Sequence, residues 1–440
     1  MMSHKLITSI ELKLSADEAT RLEFNELQKK MASYIGVKKL AKMLIKALRS
    51  SIRHKLAGIT DKFNTNAARP NANDFFKKNP DFKPYQIKLN PGVSTIVNPK
   101  VLHVIPYFVT GGSQQLVVDI IEGLNDSYTH EVALFGVLPL QGYVGVAFHD
   151  CAHVKEPEDF EELLHQIEPD IIHVHYYGRW PNTYWLWYHA ALQGALSYNK
   201  PVIENCNIPY MPYYDERISK FIFVSQYTQD TFGIRSFSND VIYPGSNFSF
   251  FQRNGIASDP DTIGMVYRLD DDKLDENAIV PFIRAIQLRP ATKVIIVGGG
   301  QYFSLFQEKT VEAGVQSQFT FTGYVAYEQL ADLYRQMSVF VAPVYSESFG
   351  QVTPFAMSME IPVVAYNIGA LAEILDNPAL LAPGKDADAL ASIIVNLLDN
   401  PALRASIGQF NKERAEKLFA VKKMTDSYGT LYHSLLTNGV

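Results

Sequence analysis

The feature that most constrains this chain is a series of short apolar segments separated by helix-compatible stretches. Six of these segments precede residue 254: KVLHVIPYF (100–108), HEVALFGV (130–137), DIIHVH (170–175), PVIE (201–204), KFIFV (220–224) and DVIY (240–243). Short apolar runs that alternate with helices predict the buried strands of a parallel sheet. The first half of the chain is therefore predicted to be a doubly wound α/β unit.

A second series follows the polar stretch Asn254–Asp261. Its predicted strands are TIGMVY (262–267), KVIIVGG (293–299), FTFTG (319–323), SVFVAP (338–343) and PVVAY (362–366), and its predicted helices include Glu276–Gln287, Tyr327–Gln336 and Pro354–Met359. Two such units in tandem would place a ligand cleft between the facing carboxyl ends of their strands. The expected domains are 99–253 and 254–420, preceded by an extension at 1–98.

Length and composition agree with a two-domain globular protein. The chain has 440 residues, 47% of them hydrophobic and 20% charged. Its formal net charge of −6 argues against a general nucleic-acid binder, which needs a basic surface. The two cysteines, Cys151 and Cys206, provide neither a disulfide framework nor a zinc spacing. With no recognisable signal peptide or membrane-spanning segment, a cytoplasmic location is expected.

The extension contains a basic amphipathic segment at 37–56. Apolar residues recur there every three or four positions among seven Lys and Arg, which predicts a helix with one apolar face. Our hypothesis is that this helix docks on an anionic surface, peripherally at the inner face of a membrane. The alternative is a helix that packs on the protein body or mediates homo-oligomerisation. An irregular linker, 64–91, follows it.

The segment YRLDDDKLDEN follows the first strand of the second half. Arg268 and Lys273 could there neutralise a diphosphate, Arg by its planar fork and Lys as a point charge. The alternative is that both cations simply pair with Asp270, Asp271 and Asp272, one after another in the same loop. A metal site is not expected, because three consecutive loop carboxylates rarely converge on one ion.

The segment YSESFGQVTPF carries the second candidate site. Thr353 before Pro354 is predicted to be the N-cap of a helix. The backbone amides of Gly350, Gln351 and Val352 would then form an anion site. Glu347 fits beside such a site if it accepts hydrogen bonds from neutral sugar hydroxyls, and otherwise it is a solvated turn glutamate.

Three weaker features lie in the first half. Gly111 and Gly112 lie between a strand and a helix, where glycine permits the backbone to approach a phosphate or sugar. His173 and His175 are interpreted as lying on opposite faces of their strand, with His175 near the cleft or else buried and satisfied. Asp119 and Glu122 are predicted to lie on a solvated helix face.

Taken together, these segments resemble the retaining glycosyltransferases of family 4, which have the GT-B fold. The resemblance covers residues 101–436 and is strongest from Gly264 to Leu375. Arg268-Leu269 and Lys273 keep the spacing of the Gly-Arg-Leu…Lys-Gly pattern of that family, with Tyr267 and Leu274 in place of its glycines. GGSQQLVVDIIEGL, HVH and YPGSNFSFF resemble further segments, and 421–440 resembles the C-terminal helix that crosses back to the first domain.

The resemblance implies retaining transfer of a hexose-type sugar from a nucleotide-diphosphate donor to a glycan, lipid-linked or protein acceptor, without metal or cofactor. Arg268 and Lys273 would bind the diphosphate, Glu347 the donor sugar, and His175 the region of the transferred sugar's hydroxymethyl group or the acceptor. The residues expected at the donor are Gly111, Gly112, Phe349, Gly350, Gln351, Val352 and Phe355. Alternatives are a nucleotide-sugar epimerase or phosphorylase, or a non-catalytic subunit of a glycosylation complex.

The chain departs from the family pattern at the second of two glutamates that are separated by seven residues. Glu347 matches the first, but Phe355 stands at the second and cannot accept hydrogen bonds from ribose hydroxyls. Glu360 stands where the family usually has glycine. One hypothesis is a deoxythymidine-diphosphate sugar as donor, because deoxyribose has one hydroxyl fewer to be bound.

Overall fold

The computed structural model describes residues 98–106, 108, 112–135, 146–176 and 185–437, together with residues 18, 21, 22 and 25. The predicted basic helix at 37–56, the linker at 64–91 and Gly111 lie outside the described residues. Residues 18, 21, 22 and 25 are helical, and Glu18, Arg21 and Asn25 form hydrogen bonds with the first domain. There Asn25 accepts a hydrogen bond from the Tyr214 amide at 2.9 Å and donates one to its carbonyl at 3.0 Å.

The first domain is built on a parallel sheet whose described strands have the order β3-β2-β1-β4-β5-β6-β7. The strands are β1 (Lys100–Ile105), β2 (Thr129–Leu134), β3 (Ala147–Asp150), β4 (Ile171–Tyr176), β5 (Val202–Cys206), β6 (Lys220–Phe223) and β7 (Asn239–Val241). Apolar runs form the central strands because helices cover both faces. In register, Val101 of β1 lies between His130 of β2 and Ile171 of β4.

Four helices of the first domain are described: α1 (Gly112–Leu124), α2 (Pro157–Ile167), α3 (Trp185–Ser197) and α4 (Gln226–Phe232). Proline at the first position of α2 costs no hydrogen bond, since that amide has no partner within a helix. Ser225 caps α4, where its Oγ accepts a hydrogen bond from the Thr228 amide at 3.1 Å. The carboxyl end of β6 is thereby joined directly to the start of α4.

The second domain has a parallel sheet with the described order β10-β9-β8-β11-β12-β13. Its strands are β8 (Thr262–Val266), β9 (Lys293–Val297), β10 (Phe319–Gly323), β11 (Val339–Ala342), β12 (Val363–Tyr366) and β13 (Leu381–Ala382). Its helices are α5 (Val280–Leu288), α6 (Phe303–Glu312), α7 (Tyr327–Gln336), α8 (Val352–Ser358), α9 (Leu371–Leu375), α10 (Ala387–Asp399) and α11 (Pro401–Leu418). A continuous apolar core joins the sheet to these helices.

The last described helix, α12 (Val421–Thr437), follows the second domain in sequence but packs against α1 of the first. Tyr428 and Tyr432 of α12 are fully buried beneath it. Gly123 of α1 allows the close contact, because a Cβ there would lie 2.4 Å from Cγ2 of Thr425. The chain therefore crosses between the domains twice.

The prediction of two Rossmann-like units is confirmed, and the differences are local. Strands β3 and β13 were not predicted, because β3 reads AFHD and β13 has only two residues. Helix α5 begins at Val280 instead of Glu276, and α8 spans Val352–Ser358 instead of Pro354–Met359. Among the described helices, none combines the length and apolar character that crossing a bilayer requires.

Candidate active site between the two domains

The predicted site residues of the second domain lie in loops that follow its strands or on α8, and the loop before α8 contacts the first domain. Ser348 donates from Oγ to the carbonyl of Asn207 at 3.0 Å, and its own carbonyl accepts from Ser225 Oγ at 2.7 Å. Gln351 donates to the carbonyl of Gly245 at 3.2 Å. A Cβ on Gly112 would lie 3.3 Å from Oε1 of Gln351. The carboxyl ends of the two sheets therefore face each other.

Lys273 and Glu347 form the central ion pair of this region. The Lys273 ammonium lies 2.9 Å from Oε1 and 2.8 Å from Oε2 of Glu347. The Glu347 side chain is 1% exposed and that of Lys273 is 36% exposed. Glu347 is therefore not the solvated turn residue of the alternative interpretation, and Lys273 does not pair with the neighbouring aspartates as the simpler hypothesis for it required.

Two glycines allow the Glu347 turn to form. Gly350 has φ +84°, and a Cβ there would lie 3.0 Å from the Glu347 carboxyl carbon. Gly369 has φ +60°, and a Cβ there would lie 2.1 Å from the Glu347 carbonyl oxygen. That carbonyl accepts a hydrogen bond from the Ala370 amide at 3.2 Å. The loop before α9 therefore contacts the backbone of Glu347 and stabilises the turn.

Arg268 is held less firmly. Its side chain is 63% exposed and pairs with Asp272, four residues further along the same loop, at 2.5 Å. An exposed ion pair of this kind contributes about 0–1 kcal/mol, so a ligand phosphate can compete for the guanidinium. The pairing alternative is therefore correct for Arg268 in this structure. The preceding Tyr267 is buried beside Thr353 and Glu347, and burial raises the pKa of its hydroxyl above the usual range.

The predicted N-cap of α8 is wrong. Helix α8 begins at Val352 and its N-cap is Gln351, so Thr353 lies inside the first turn. The Thr353 amide donates a hydrogen bond to the Gly350 carbonyl at 2.9 Å, as an amide within a first helical turn can. Sequence alone favoured Thr353 because threonine before proline resembles a cap, whereas the preceding glycine turn started the helix earlier.

Phe355 lies on α8 with its ring stacked on Phe251, at a centroid distance of 4.0 Å and an interplanar angle of 18°. Only 9% of the residue is exposed. This position therefore offers an apolar ring where the family pattern has a carboxylate. Glu360 adopts φ +58°, a conformation that glycine takes without strain, and its carboxylate binds Lys412 at 2.8 Å.

His175 lies at the end of β4 within a buried polar network. Its Nε2 is 3.1 Å from Nδ1 of His103, whose Nε2 is 3.0 Å from Nδ1 of His130. His173 bonds to the Tyr432 hydroxyl at 2.7 Å. Our prediction that His173 and His175 face opposite sides is wrong. Their ring centroids are 4.2 Å apart, because residues i and i+2 of a strand share a face.

Burial keeps these imidazoles neutral. It lowers the pKa of His173 to about 3 and that of His130 to about 4, and it lowers the pKa of His103 and His175 well below the usual value. Potential ligand nitrogens of His103, His173 and His175 lie within 4.8 Å of one another, which is a spacing that a metal ion could use. Their hydrogen bonds to each other, to Tyr432 and to Asn205 already account for the arrangement.

The prediction that Asp119 lies on a solvated helix face is also wrong. The residue is 5% exposed rather than solvated, and it accepts a hydrogen bond from Gln115 at 2.7 Å. Burial raises its pKa to about 7. The helical period placed Asp119 next to Glu122 on a polar face, but the contacts of α1 with its neighbours could not be read from that period.

Sequence reasoning missed the residues that join the domains. They are Asn207, Ser225, Ser348 and Glu373, and each lies in a loop or first helical turn with no pattern of its own. A cavity of about 340 Å³ lies elsewhere, at the amino ends of β8 and β9, and is lined in part by Asp259, Lys293 and Arg335. Because it lies at the opposite edge of the sheet, this cavity is separate from the side chains that converge at the domain boundary.

The family model that matches this chain by sequence covers most of the second domain. Residues 246–414 match the family model described as glycosyl transferases group 1. The D-inositol 3-phosphate glycosyltransferase of Mycobacteroides abscessus is 30% identical over 166 residues, which cover 36% of this chain and 37% of that relative. The lipopolysaccharide core biosynthesis mannosyltransferase LpsB of Rhizobium meliloti is 24% identical over 217 residues, 45% of this chain and 61% of LpsB. Neither match spans two thirds of the relative.

Solved structures extend the likeness to both domains. A glycosyltransferase from Rickettsia africae has a TM-score of 0.65 at 16% identity and covers 78% of this chain and 100% of its own. HepE of Anabaena, in complex with UDP, has a TM-score of 0.62 at 19% identity and covers 76% of this chain and 100% of its own. At these identities the likeness establishes the two-domain fold.

Proposed function

Residues 246–414 match the family model of the glycosyl transferases group 1, and from that premise we propose that the chain transfers a hexose-type sugar from a nucleotide-diphosphate donor with retention. The acceptor is a glycan, a lipid-linked sugar or a protein. The observation that carries the proposal is the Lys273–Glu347 pair. It brings a cation and a buried carboxylate to one point where the domains meet, with both oxygens 2.8–2.9 Å from the ammonium.

The proposed mechanism needs no nucleophile from the protein. The bond from the anomeric carbon to the diphosphate breaks as an acceptor hydroxyl attacks from the same face, and the proton of that hydroxyl passes to the leaving diphosphate oxygen. Arg268 and Lys273 stabilise the negative charge that develops on the leaving diphosphate, and the backbone at Gly350–Val352 assists. Glu347 orients the donor sugar through its hydroxyls. No metal is invoked, because two cations already face the diphosphate.

His175 is proposed to contact the transferred sugar or the acceptor as a neutral imidazole. Its Nδ1 is buried and has no hydrogen-bond partner among the described residues, so a substrate hydroxyl could bind there. Neutral imidazole can either donate or accept one hydrogen bond at that nitrogen, depending on the tautomer.

The solved structures with UDP, with UDP and glucose, and with UDP-glucose in HepE support a nucleotide-sugar donor for this chain. Because Phe355 stands where the family pattern has a glutamate for ribose, the resemblance does not identify the base or the ribose of the donor. A deoxythymidine diphosphate donor remains our hypothesis. Calorimetric titration with uridine and thymidine diphosphates decides it. Tighter binding of the uridine nucleotide would remove the thymidine hypothesis.

The decisive experiment measures sugar transfer and nucleotide affinity in Arg268→Ala and Lys273→Ala. By analogy with the loss of one oxyanion donor, each variant should lose about 2–4 kcal/mol of transition-state stabilisation, roughly 30- to 1,000-fold in rate. Lys293→Ala is the matched control, because Lys293 is a 60%-exposed cation paired with Asp259 at the opposite edge of the same sheet. Wild-type rates in both active-site variants would contradict the mechanism.

A non-catalytic partner subunit is the second candidate, and Phe355 favours it. Its apolar ring occupies the position where a carboxylate would bind ribose, packed against Phe251. The two functions differ in nucleotide release, which a transferase accelerates when an acceptor is added. Release that is absent with every acceptor tried, despite nucleotide binding, would favour the partner subunit.

We further propose that residues 37–56 dock on an anionic membrane surface near a lipid-linked acceptor. Deleting the first 60 residues would also remove Arg21 and Asn25, which bond to Thr231 and Tyr214 of the first domain. Replacing Lys38, Lys39, Lys42 and Lys46 by glutamine avoids that disturbance. Co-sedimentation with anionic liposomes should fall several-fold, and unchanged binding would exclude the membrane role.

A further inference from the structure

Glu373, on α9 of the second domain, makes its carboxylate hydrogen bonds with the first domain. Its Oε1 accepts from the Gln226 amide at 2.7 Å and from the Tyr243 hydroxyl at 2.5 Å. Its Oε2 accepts from the Tyr227 amide at 2.9 Å. Both oxygens are therefore used across the domain boundary, in charge-assisted hydrogen bonds that are stronger than neutral ones.

The element that carries Glu373 also supports the Glu347 turn. The Ala370 amide, three residues before Glu373, donates to the Glu347 carbonyl at 3.2 Å. From the other side, Ser225 at the start of α4 donates to the Ser348 carbonyl at 2.7 Å. The start of α4 is thus attached both to the turn and to the helix behind it. A change in the position of α4 would act on the Glu347 backbone through both contacts.

Aromatic rings fill the space beneath these hydrogen bonds. Tyr243 lies 5.9 Å from Phe349 and 5.3 Å from Phe419, measured between ring centroids. Phe349 immediately follows Ser348, so the turn packs on the same aromatic cluster. Burial, and then the neighbouring Glu373 carboxylate, raise the pKa of the Tyr243 hydroxyl, which therefore stays protonated and donates to Glu373.

We propose that Glu373 is a positioning residue that holds the two domains closed and thereby fixes the Glu347 turn for the donor. The identity of the ligand at that turn rests on the proposed function, whereas the closure does not. Without the carboxylate, the amides at the start of α4 and the Tyr243 hydroxyl lose their acceptor in the second domain. The equilibrium should then shift toward an open form in which Glu347 and the first domain are separated.

Closure should be visible in ligand affinity. The apparent dissociation constant equals the intrinsic constant divided by the fraction of molecules in the binding-competent form. If loss of Glu373 reduces the closed fraction to about one tenth, binding of a ligand that touches both domains weakens roughly tenfold.

The test compares Glu373→Gln with Asp376→Asn in the full chain. Glutamine keeps the shape but presents an NH₂ group toward the donors of α4. Asp376, three residues further on, pairs with Arg414 of its own domain and is 64% exposed, so it is the matched control. Spin labels at Ser197→Cys and Val311→Cys report the distance between domains, since both positions are exposed and the native Cys151 and Cys206 are buried.

Electron–electron resonance without nucleotide should give a longer or broader distance distribution for Glu373→Gln and an unchanged one for Asp376→Asn. Calorimetry with UDP should show roughly tenfold weaker binding for Glu373→Gln only. A lowered melting temperature with unchanged distances and unchanged UDP affinity would overturn the proposal, because Glu373 would then be merely structural. If the wild-type chain binds neither uridine diphosphate nor deoxythymidine diphosphate, the proposed function fails, and the distance measurement still decides the role of Glu373.

Discussion

Replacing Lys273 by methionine separates the contribution of this residue to stability from the contribution to catalysis that we propose for it. Methionine is similar in length and cannot carry charge, so the Glu347 carboxylate, 1% exposed, is left with the Phe349 amide at 3.4 Å as its remaining partner among those described. Breaking a fully buried ion pair costs about 3–5 kcal/mol. Because Lys273 is 36% exposed, water can partly replace it, and we expect about 2–4 kcal/mol.

The double variant Lys273→Met/Glu347→Gln distinguishes pairing from packing. Removing both charges leaves no isolated buried ion, so the double variant should be more stable than the sum of the single effects predicts. The expected coupling energy is about 1–3 kcal/mol. Transfer activity should nevertheless stay low in the double variant, because the cation that we propose for the diphosphate is still absent.

The assay must distinguish unfolding of the second domain from unfolding of the first. The three tryptophans, at positions 180, 185 and 187, all precede the second domain in sequence, so their fluorescence serves as an internal control. Urea unfolding followed by far-ultraviolet circular dichroism should show the loss, while the fluorescence transition stays near its wild-type midpoint. Strictly additive single and double variants would refute the ion pair as the stabilising contact.

Three further predictions follow from burial and backbone geometry. Gly369→Ala should destabilise the second domain by about 3 kcal/mol or more, because its Cβ would lie 2.1 Å from the Glu347 carbonyl oxygen. Gly314→Ala, at φ +70° but with open space around the Cβ, should cost only about 1 kcal/mol, and calorimetric melting compares the two variants. Asp119→Asn should stabilise the protein by about 2–4 kcal/mol at pH 8 but little at pH 4, since a folded-state pKa of about 7 means that stability falls as pH rises from 4 to 7; equal effects at both pH values would contradict this. His130→Gln should flatten the loss of stability between pH 6.5 and 4.5 by up to about 1.4 kcal/mol per pH unit, because a pKa lowered to about 4 disfavours protonation in the fold; an unchanged slope in urea titrations would exclude that role.

The strands were predictable because burial on both faces selects continuous apolar runs, as in KVIIV of β9. Local spacing also identified Arg268 and Lys273 as neighbours at one strand end. It could not show that they have different partners. Lys273 binds a carboxylate 74 residues away, and Arg268 binds one four residues away. Which of two nearby acceptors a flexible cation reaches depends on the tertiary arrangement of loops, which periodicity does not encode.

The contacts between the domains were less predictable still. Ser225, Ser348 and Glu373 act through hydrogen bonds between residues that are 123 to 147 positions apart in sequence. A serine or a glutamate gives the same sequence signal whether its side chain faces water or a second domain. The error over His173 and His175 is of another kind, because the period of two already places both residues on one face of β4.

The two departures from the family pattern are best weighed by what surrounds them. A glutamate lost without consequence would leave its neighbourhood polar, yet Phe355 is 9% exposed and stacks on Phe251, 104 residues away in sequence. Glu360 likewise takes φ +58° and pairs with Lys412. Each substitution is therefore accommodated by a partner, while the Lys273–Glu347 pair and the glycines that shape the Glu347 turn are present. The presence of the Lys273–Glu347 pair therefore supports our proposal of a modified donor site over the non-catalytic alternative that Phe355 favours.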